Sequence, residues 1–267
     1  MSSTIRLASI AISALLVSCG TLAGGRGWGQ DATLSPGWAR VRAAALANLE
    51  DPVTWLPIAS AAVLQVDDFD RRISDWARDE TPIFGSTQHA SDASDTWRTV
   101  TNDLWTVSLF VPPSGETAGE WAWSRTKGAT VEIAAKAVSR GVTSVLKDVS
   151  NRARPDGSDD RSFPSGHMTE AFGSAALGAR NLDWSNLPSG AVWPGKIALY
   201  GSSILTGWAR VEAGKHFPSD VLFAAGATNF VVGFVHDAFL GLGSGPEVLV
   251  SGGPDGDGWE VGLAWGF

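Results

Sequence analysis

The reading turns on KDVSNRARP (147–155), DGSDDRSF (156–163), PSGHMTEAFGSAALGA (164–179) and, after an apolar run, ARVEAGKHFPSD (209–220). Pro164-Ser165-Gly166-His167 reads as a helix start, because Ala171, Phe172, Ala175 and Ala179 mark the buried face that follows. The first N–H groups of a helix have no partner within it, and the helix dipole favours negative charge there. Gly166 permits close backbone approach and Ser165 adds a hydroxyl, so this start suits an anion. In His216-Phe217-Pro218-Ser219-Asp220 the proline fits the first turn of a second helix. The i to i+4 spacing lets Asp220 reach His216, where a carboxylate would fix the ring's tautomer and stabilise its positive charge.

Outward from this stretch the chain reads as helices. Asp51-Pro52 is a capped start, with the proline where its missing N–H costs nothing. Three-to-four spacing recurs through Ala93, Trp97, Val100, Leu104 and Val107, and again through Val131, Ala135, Val138, Val142 and Val145. It returns from Ile197 through Ile204, Trp208 and Val211, and from Val221 towards Phe239. These spacings predict a bundle over 36–240, with the spaced apolar residues as its core. No segment after residue 18 shows the roughly 20 unbroken apolar residues that span a bilayer. Between Asp220 and His236 the apolar run includes Thr228 and Asn229, so a buried bundle helix is expected there.

The ends differ. Arg6 precedes an apolar stretch through Ile10, Ile12, Leu15 and Leu16, and residues 1–18 read as a secretory signal. Leu16-Val17-Ser18-Cys19 resembles the lipobox of bacterial lipoproteins, which implies acylation of Cys19, the only cysteine of the chain. Gly20 in the next position resembles lipoproteins sorted to the outer membrane, so the expected location is the periplasmic side of a bacterial envelope, held by a lipid anchor. Gly24-Gly25-Arg26-Gly27-Trp28-Gly29 is too glycine-rich to order itself cheaply, and residues 19–35 are expected to be a flexible tether. After a linker over 241–246, Trp259, Val261, Leu263, Trp265 and Phe267 alternate with Glu260, Gly262, Ala264 and Gly266. Together with Val248–Val250 they predict a small C-terminal β-hairpin within 241–267.

Composition narrows the function. A net charge of −8 and a sequence pI of 4.9 argue against a nucleic-acid partner, whose phosphates need basic surfaces. One cysteine excludes a disulfide framework and every multi-cysteine metal site. Any anion site must be built locally, and Lys147, Arg154 and Arg210 can build it. Phosphoryl transfer asks mainly for positioning and for neutralisation of oxygen charge, which three converging cations supply. Arginine's planar fork grips two oxygens, while lysine supplies a point charge. A His/Asp pair at i, i+4 is also a possible metal site, but no third or fourth ligand is evident in the sequence. His89 and His236 are assigned to structure or surface.

Lys147-x6-Arg154-Pro155, Pro164-Ser165-Gly166-His167 and Arg210-x5-His216-x3-Asp220 together resemble the phosphatidic acid phosphatase type 2 superfamily. That family's pattern has a serine before the arginine, where this chain has Ala209. The resemblance implies an all-α bundle of the phosphatidic acid phosphatase/haloperoxidase type. It implies a phosphoric monoester hydrolase acting on small or lipid phosphate esters, with His216 as the nucleophile that forms a phosphohistidine. Asp220 is then its orienter, and His167 the general acid and later base. Lys147, Arg154, Ser165, Gly166 and Arg210 bind phosphate, with no metal and no cofactor. Only eight residues, 156–163, join the first two motifs, which implies an open pocket. Two alternatives come with the resemblance: a vanadium-dependent haloperoxidase-like enzyme, which holds vanadate where phosphate would bind, and a non-catalytic phosphate-binding envelope lipoprotein.

Overall fold

A computed structural model describes residues 20–22, 25–241, 247–251 and 260–264. The expected signal over 1–18 and Cys19 lie outside the described residues. Helix α1 (Gly37–Glu50) is followed by α2 (Pro52–Val63), where the Asp51 carboxylate accepts from Val53 N at 2.9 Å, the capped start read from the sequence. After a short 3-10 turn (Val66–Asp68) come α3 (Phe69–Glu80) and α4 (Thr87–Ser108), the latter capped by Ser86. Helix α5 (Ala118–Ser150) opens on a capping box between Thr117 and Glu120 and, with 33 residues, is the longest described helix. Then come α6 (Gly166–Asp183), α7 (Ser189–Glu212) and α8 (Pro218–Leu240).

Helix α6 lies at the centre, packed against α4, α5, α7 and α8. Its Ala171, Gly173, Ala175, Ala176, Gly178 and Ala179 are all buried, and side chains this small let four neighbours approach one axis. Around it Trp105, Phe172, Leu177, Val221, Val232 and Leu240 form the main apolar cluster.

The helices stand where the spacing put them, but two of them show the bundle a different face. In α4 the buried residues are Ala90, Ser94, Thr101, Trp105 and Ser108, while Val107 is exposed. In α5 Val131 and Ala135 are buried as expected, yet Val138, Val142 and Val145 are exposed, and Glu132, Lys136, Ser139 and Thr143 face inward. Small hydroxyl side chains allow this because they pack closely and satisfy themselves on carbonyls one turn back. Thr101 Oγ1 lies within hydrogen-bond distance of Trp97 O and of Ser202 Oγ, both at 2.8 Å. The buried charges are also partnered: Trp105 Nε1 donates to Glu132 at 2.6 Å, and Lys136 Nζ donates to Asn102 and Ser174, both at 2.7 Å.

Helix α8 is long and apolar enough to cross a membrane by length and composition, contrary to the expectation that Thr228 and Asn229 would interrupt it. Both lie buried among neighbouring helices, and 61% of its most apolar window is covered by the rest of the bundle. It packs against α1, α2, α5 and α6.

The expected tether is the clearest departure. Gly20 and Gly115 exchange two backbone hydrogen bonds of 2.9 Å, Trp28 N donates to Pro113 O at 2.7 Å, and Thr33 N donates to Phe239 O at 2.9 Å. Trp28 is fully buried, its ring lying over Gly128, where an added Cβ would come within 2.4 Å of the ring. One large side chain in a slot cut for it outweighs the backbone entropy of the surrounding glycines. At the other end, the established architecture is the helical bundle, whose last helix ends at Leu240. There the described residues are the short segments Glu247–Ser251 and Glu260–Ala264.

Candidate active site

Four chain segments meet at one end of the bundle: the end of α5, the 151–165 loop with the start of α6, the end of α7, and the start of α8. The loop is closed on itself by Ser162 N to Arg152 O and Arg154 N to Asp159 O, both 2.9 Å. It is tied to the α7–α8 connection by Asp156 N to Gly214 O at 3.0 Å and to α8 by Ser165 N to Asp220 O at 3.2 Å. Phe163 packs on Phe223 of α8 with ring centroids 4.6 Å apart. These ties bring three motifs, separated in sequence, to one place.

His216 is buried, and its Nδ1 lies 2.6 Å from the main-chain oxygen of Ser162. A carbonyl only accepts, so Nδ1 carries the proton and Nε2 keeps its lone pair. Asp220 Oδ2 lies 3.8 Å from the same Nδ1, beyond hydrogen-bond reach. The sequence expectation that Asp220 grips His216 directly is therefore corrected: the carboxylate is already filled. Its Oδ2 accepts from Ser162 Oγ at 2.5 Å and Phe217 N at 2.8 Å, and its Oδ1 from Arg152 Nη1 at 2.6 Å. Ser162 thus links the two, hydroxyl to Asp220 and carbonyl to His216. Burial pushes His216 down to about 4, with Arg210 and Lys147 lowering it further against the pull of Asp220. At neutral pH the ring is uncharged.

Lys147 and Arg210 act electrostatically on His216, and Arg154 acts on both of them. Burial and the neighbouring Arg154 push the Lys147 ammonium down to about 8, and the same two causes take Arg210 to about 10. Lys147 Nζ donates to Arg161 O at 2.7 Å, and Arg154 Nε pairs with Asp159 at 2.6 Å. Arg210 is buried. Its Nη1 makes a long 3.3 Å bond to Ser94 Oγ, and its Nε has no partner among the described residues. Ala209, where the family has serine, is also fully buried.

His167 stands in the first turn of α6, and its Nε2 lies 3.0 Å from Asp95 Oδ1 of α4. Burial and Arg210 lower its pKa, and Asp95 works the other way. Arg98 joins Asp95 at 3.1 Å to Glu170 at 2.7 Å, and Arg140 pairs with the other Glu170 oxygen at 3.1 Å. His167, Lys147, Gly166, Thr143, Ser144 and this Arg98–Glu170–Arg140 group line a cavity of about 490 Å³. The Ser165 hydroxyl caps α6, 3.5 Å from Met168 N, and the residue is fully buried, so its part in the site is to shape the helix start. Gly166 has an ordinary helical backbone, and a Cβ there would rest 3.7 Å from Lys147 Cε at the cavity wall. His89 is exposed and His236 lies in the core beside Asp237, both away from these motifs.

Asp70, Asp95, Arg98, Arg152 and Ser162 were not legible as site residues. Asp95 is 72 positions from His167, Arg152 sits among the spacer residues of the first motif, and Ser162 contributes through its backbone.

Residues 129–241 match the PAP2 superfamily. The match takes in most of α5 and all of α6, α7 and α8. All ten motif positions fall inside it, whereas Asp70, Ser94, Asp95 and Arg98 precede it and reach the site from α3 and α4. The fold agrees with the crystal structure of a transmembrane PAP2-type phosphatidylglycerolphosphate phosphatase from Bacillus subtilis. That likeness has a TM-score of 0.51 and 21% sequence identity, and covers 70% of this chain and 93% of that one. No curated protein matches the chain.

Proposed function

We propose that this PAP2 protein is a metal-independent phosphatase that hydrolyses phosphate esters, lipid phosphates among them, through a phosphohistidine on His216. The observation that carries this reading is a neutral histidine with its tautomer fixed by the Ser162 carbonyl, set among Lys147, Arg154 and Arg210. The Nε2 lone pair attacks phosphorus while the three cations hold the phosphoryl oxygens. The bond to the leaving oxygen breaks, its electron pair departs with that oxygen, and His167 supplies the proton. His167 then takes a proton from water, the water oxygen attacks phosphorus, and the phosphorus–nitrogen pair returns to His216 as phosphate leaves. Asp220, near the ring but bonded to Ser162 and Arg152, stabilises the charge the imidazole carries while phosphorylated. The Bacillus subtilis phosphatidylglycerolphosphate phosphatase that shares the fold supports the lipid side of the reading.

The test is hydrolysis of a chromogenic phosphate and a panel of lipid phosphates, with chelator, by protein lacking residues 1–18. No turnover of any substrate, or turnover only after a divalent metal is restored, would overturn the proposal. In this assay kcat/KM should be bell-shaped and centred on the acidic side. Attack needs His216 neutral, so activity falls only as pH drops towards about 4. Proton donation needs His167 charged, and its lowered pKa places the alkaline fall below the ordinary histidine value of roughly 6.5. Loss of the Lys147 charge near pH 8 deepens that fall. A maximum above pH 8 would contradict these assignments.

The anchor and the C-terminal hairpin belong to the same proposal. The lipobox-like residues ending in Cys19 support acylation and an envelope location, and Cys19→Ser should release the protein from membranes or leave it uncleaved. A mature N-terminus without lipid in the mass spectrum would refute it. Period-two alternation and an antiparallel register pairing Glu247 with Ala264 support the hairpin.

A further inference from the structure

Arg152 lies inside the spacer of the first motif, yet it is the most connected cation beside the site. Its Nη1 donates to Asp220 Oδ1 at 2.6 Å and Ser219 Oγ at 2.9 Å, and its Nη2 donates to Asp70 Oδ2 at 2.8 Å. The guanidinium carbon sits 4.3 Å over the Phe217 ring. Asp70, almost fully buried on α3, also accepts from Ser219 N at 2.8 Å and Ser219 Oγ at 2.5 Å. A single planar fork thus bridges two buried carboxylates from different helices and stacks on the residue next to the nucleophile.

We propose that Arg152 is a positioning residue for the reaction, which draws the Asp220 carboxylate away from His216 and leaves the Ser162 carbonyl as the ring's hydrogen-bond partner. The proposal rests on His216 as nucleophile. Its physical content is a division of labour. Asp220 must be close enough to stabilise a charged imidazole during turnover, yet an unpaired carboxylate in direct contact would raise the pH below which Nε2 is protonated and unable to attack. Arg152 neutralises one oxygen and Ser162 with the Phe217 amide holds the other, so the carboxylate waits at 3.8 Å. The charged groups acting on His216 are Asp220 from α8, Arg210 from α7 and Lys147 from α5, and Arg152 with its counter-ion Asp70 of α3 acts through Asp220.

The experiment follows the titration of His216 by histidine-selective NMR, alongside kcat and KM for the chromogenic phosphate, in wild type, Arg152→Gln and Arg152→Lys. In Arg152→Gln the uncompensated Asp220 should move the His216 midpoint up by about one pH unit or more, and the acidic limb of kcat with it. kcat should fall roughly 10- to 100-fold with KM little changed, because the Arg152 fork is taken up by Asp220, Ser219 and Asp70. Arg152→Lys keeps the charge and loses the fork, so its midpoint should stay near wild type while kcat falls by a smaller factor. An unmoved midpoint in Arg152→Gln, or equal midpoints for Gln and Lys, would overturn the proposal. If Arg152→Gln does not fold, Arg152→Lys decides: wild-type kcat would overturn the proposal, and reduced kcat at unchanged KM and midpoint would support it. The NMR midpoint is read without turnover, so failure of the phosphatase reading and failure of the clamp can be told apart.

Discussion

Replacing His216 with alanine should abolish turnover and the covalent intermediate together. The imidazole is buried, neutral and fixed in one tautomer by a 2.6 Å bond to Ser162, and no second histidine is free to substitute, since His167 is held by Asp95 of α4. Removing an attacking group from an otherwise intact site costs roughly four to six orders of magnitude in kcat, the residue left coming from the cations alone. Substrate binding should survive, because Lys147, Arg154 and Arg210 remain. The check is a rapid acid-free quench with labelled phosphate. Wild type should show label that is stable in base and lost in acid, and the variant none. Turnover in His216→Ala within tenfold of wild type would remove this residue from the nucleophile role.

Trp28→Ala should cost about 3 to 5 kcal/mol of stability, the range for emptying a large buried aromatic site. For a chain of this size that is roughly a 10 °C fall in the melting midpoint. Trp28 is fully buried, and the Arg125 guanidinium lies 5.8 Å from its ring, 4.7 Å from Trp121 and 5.7 Å from Phe110. Arg125 also donates to Ser114 Oγ at 2.8 Å and Pro112 O at 2.5 Å, so the ring closes over a joint made by three segments. Its Nε1 has no partner among the described residues, and Trp28→Phe should therefore keep most of the stability that alanine loses. Thermal unfolding of the three proteins measures this, and a loss under 1 kcal/mol for alanine would mean the segment is a tether after all. Activity per folded molecule should not change.

The motifs stand out in the sequence because the phosphate chemistry proposed for them restricts residue types: three cations, two histidines and a carboxylate have few substitutes, and the start of a helix sets the spacing of His216 and Asp220. Their connections stand out less. Asp220 sits one turn from His216 and looked like its direct partner, but Ser162 and Arg152 compete for the same oxygens and win on distance. A backbone acceptor such as Ser162 O leaves no trace in a sequence. The helix positions followed from periodicity, while the buried faces of α4 and α5 did not. Periodicity assigns valines to the core, but the inward places of α5 go to Glu132, Lys136, Ser139 and Thr143, the last two bonded across to Thr228 and Thr169 of neighbouring helices, leaving Val138, Val142 and Val145 outside. Composition misjudged 25–33 for a related reason: glycine marks a flexible chain and also a close approach, and only Gly128, about 100 residues on, tells which applies.

The bond pair between Gly20 and Gly115 changes what an anchor at Cys19 could reach. A free tether of 17 residues would let the enzyme wander over roughly 20 to 25 Å. With Gly20 fastened, one peptide unit separates Cys19 from the bundle, so the leash is shortened to about 4 Å. Gly115 lies just before α5, and Lys147 lies near its far end, 29 residues from Ala118 and so roughly 44 Å along the axis. An anchor at Cys19 and the proposed site would therefore lie at opposite ends of the longest described helix. A bundle standing upright on its lipid would aim that site across the aqueous gap, away from the leaflet that holds it. To work on lipids of that same leaflet it would have to lie flat.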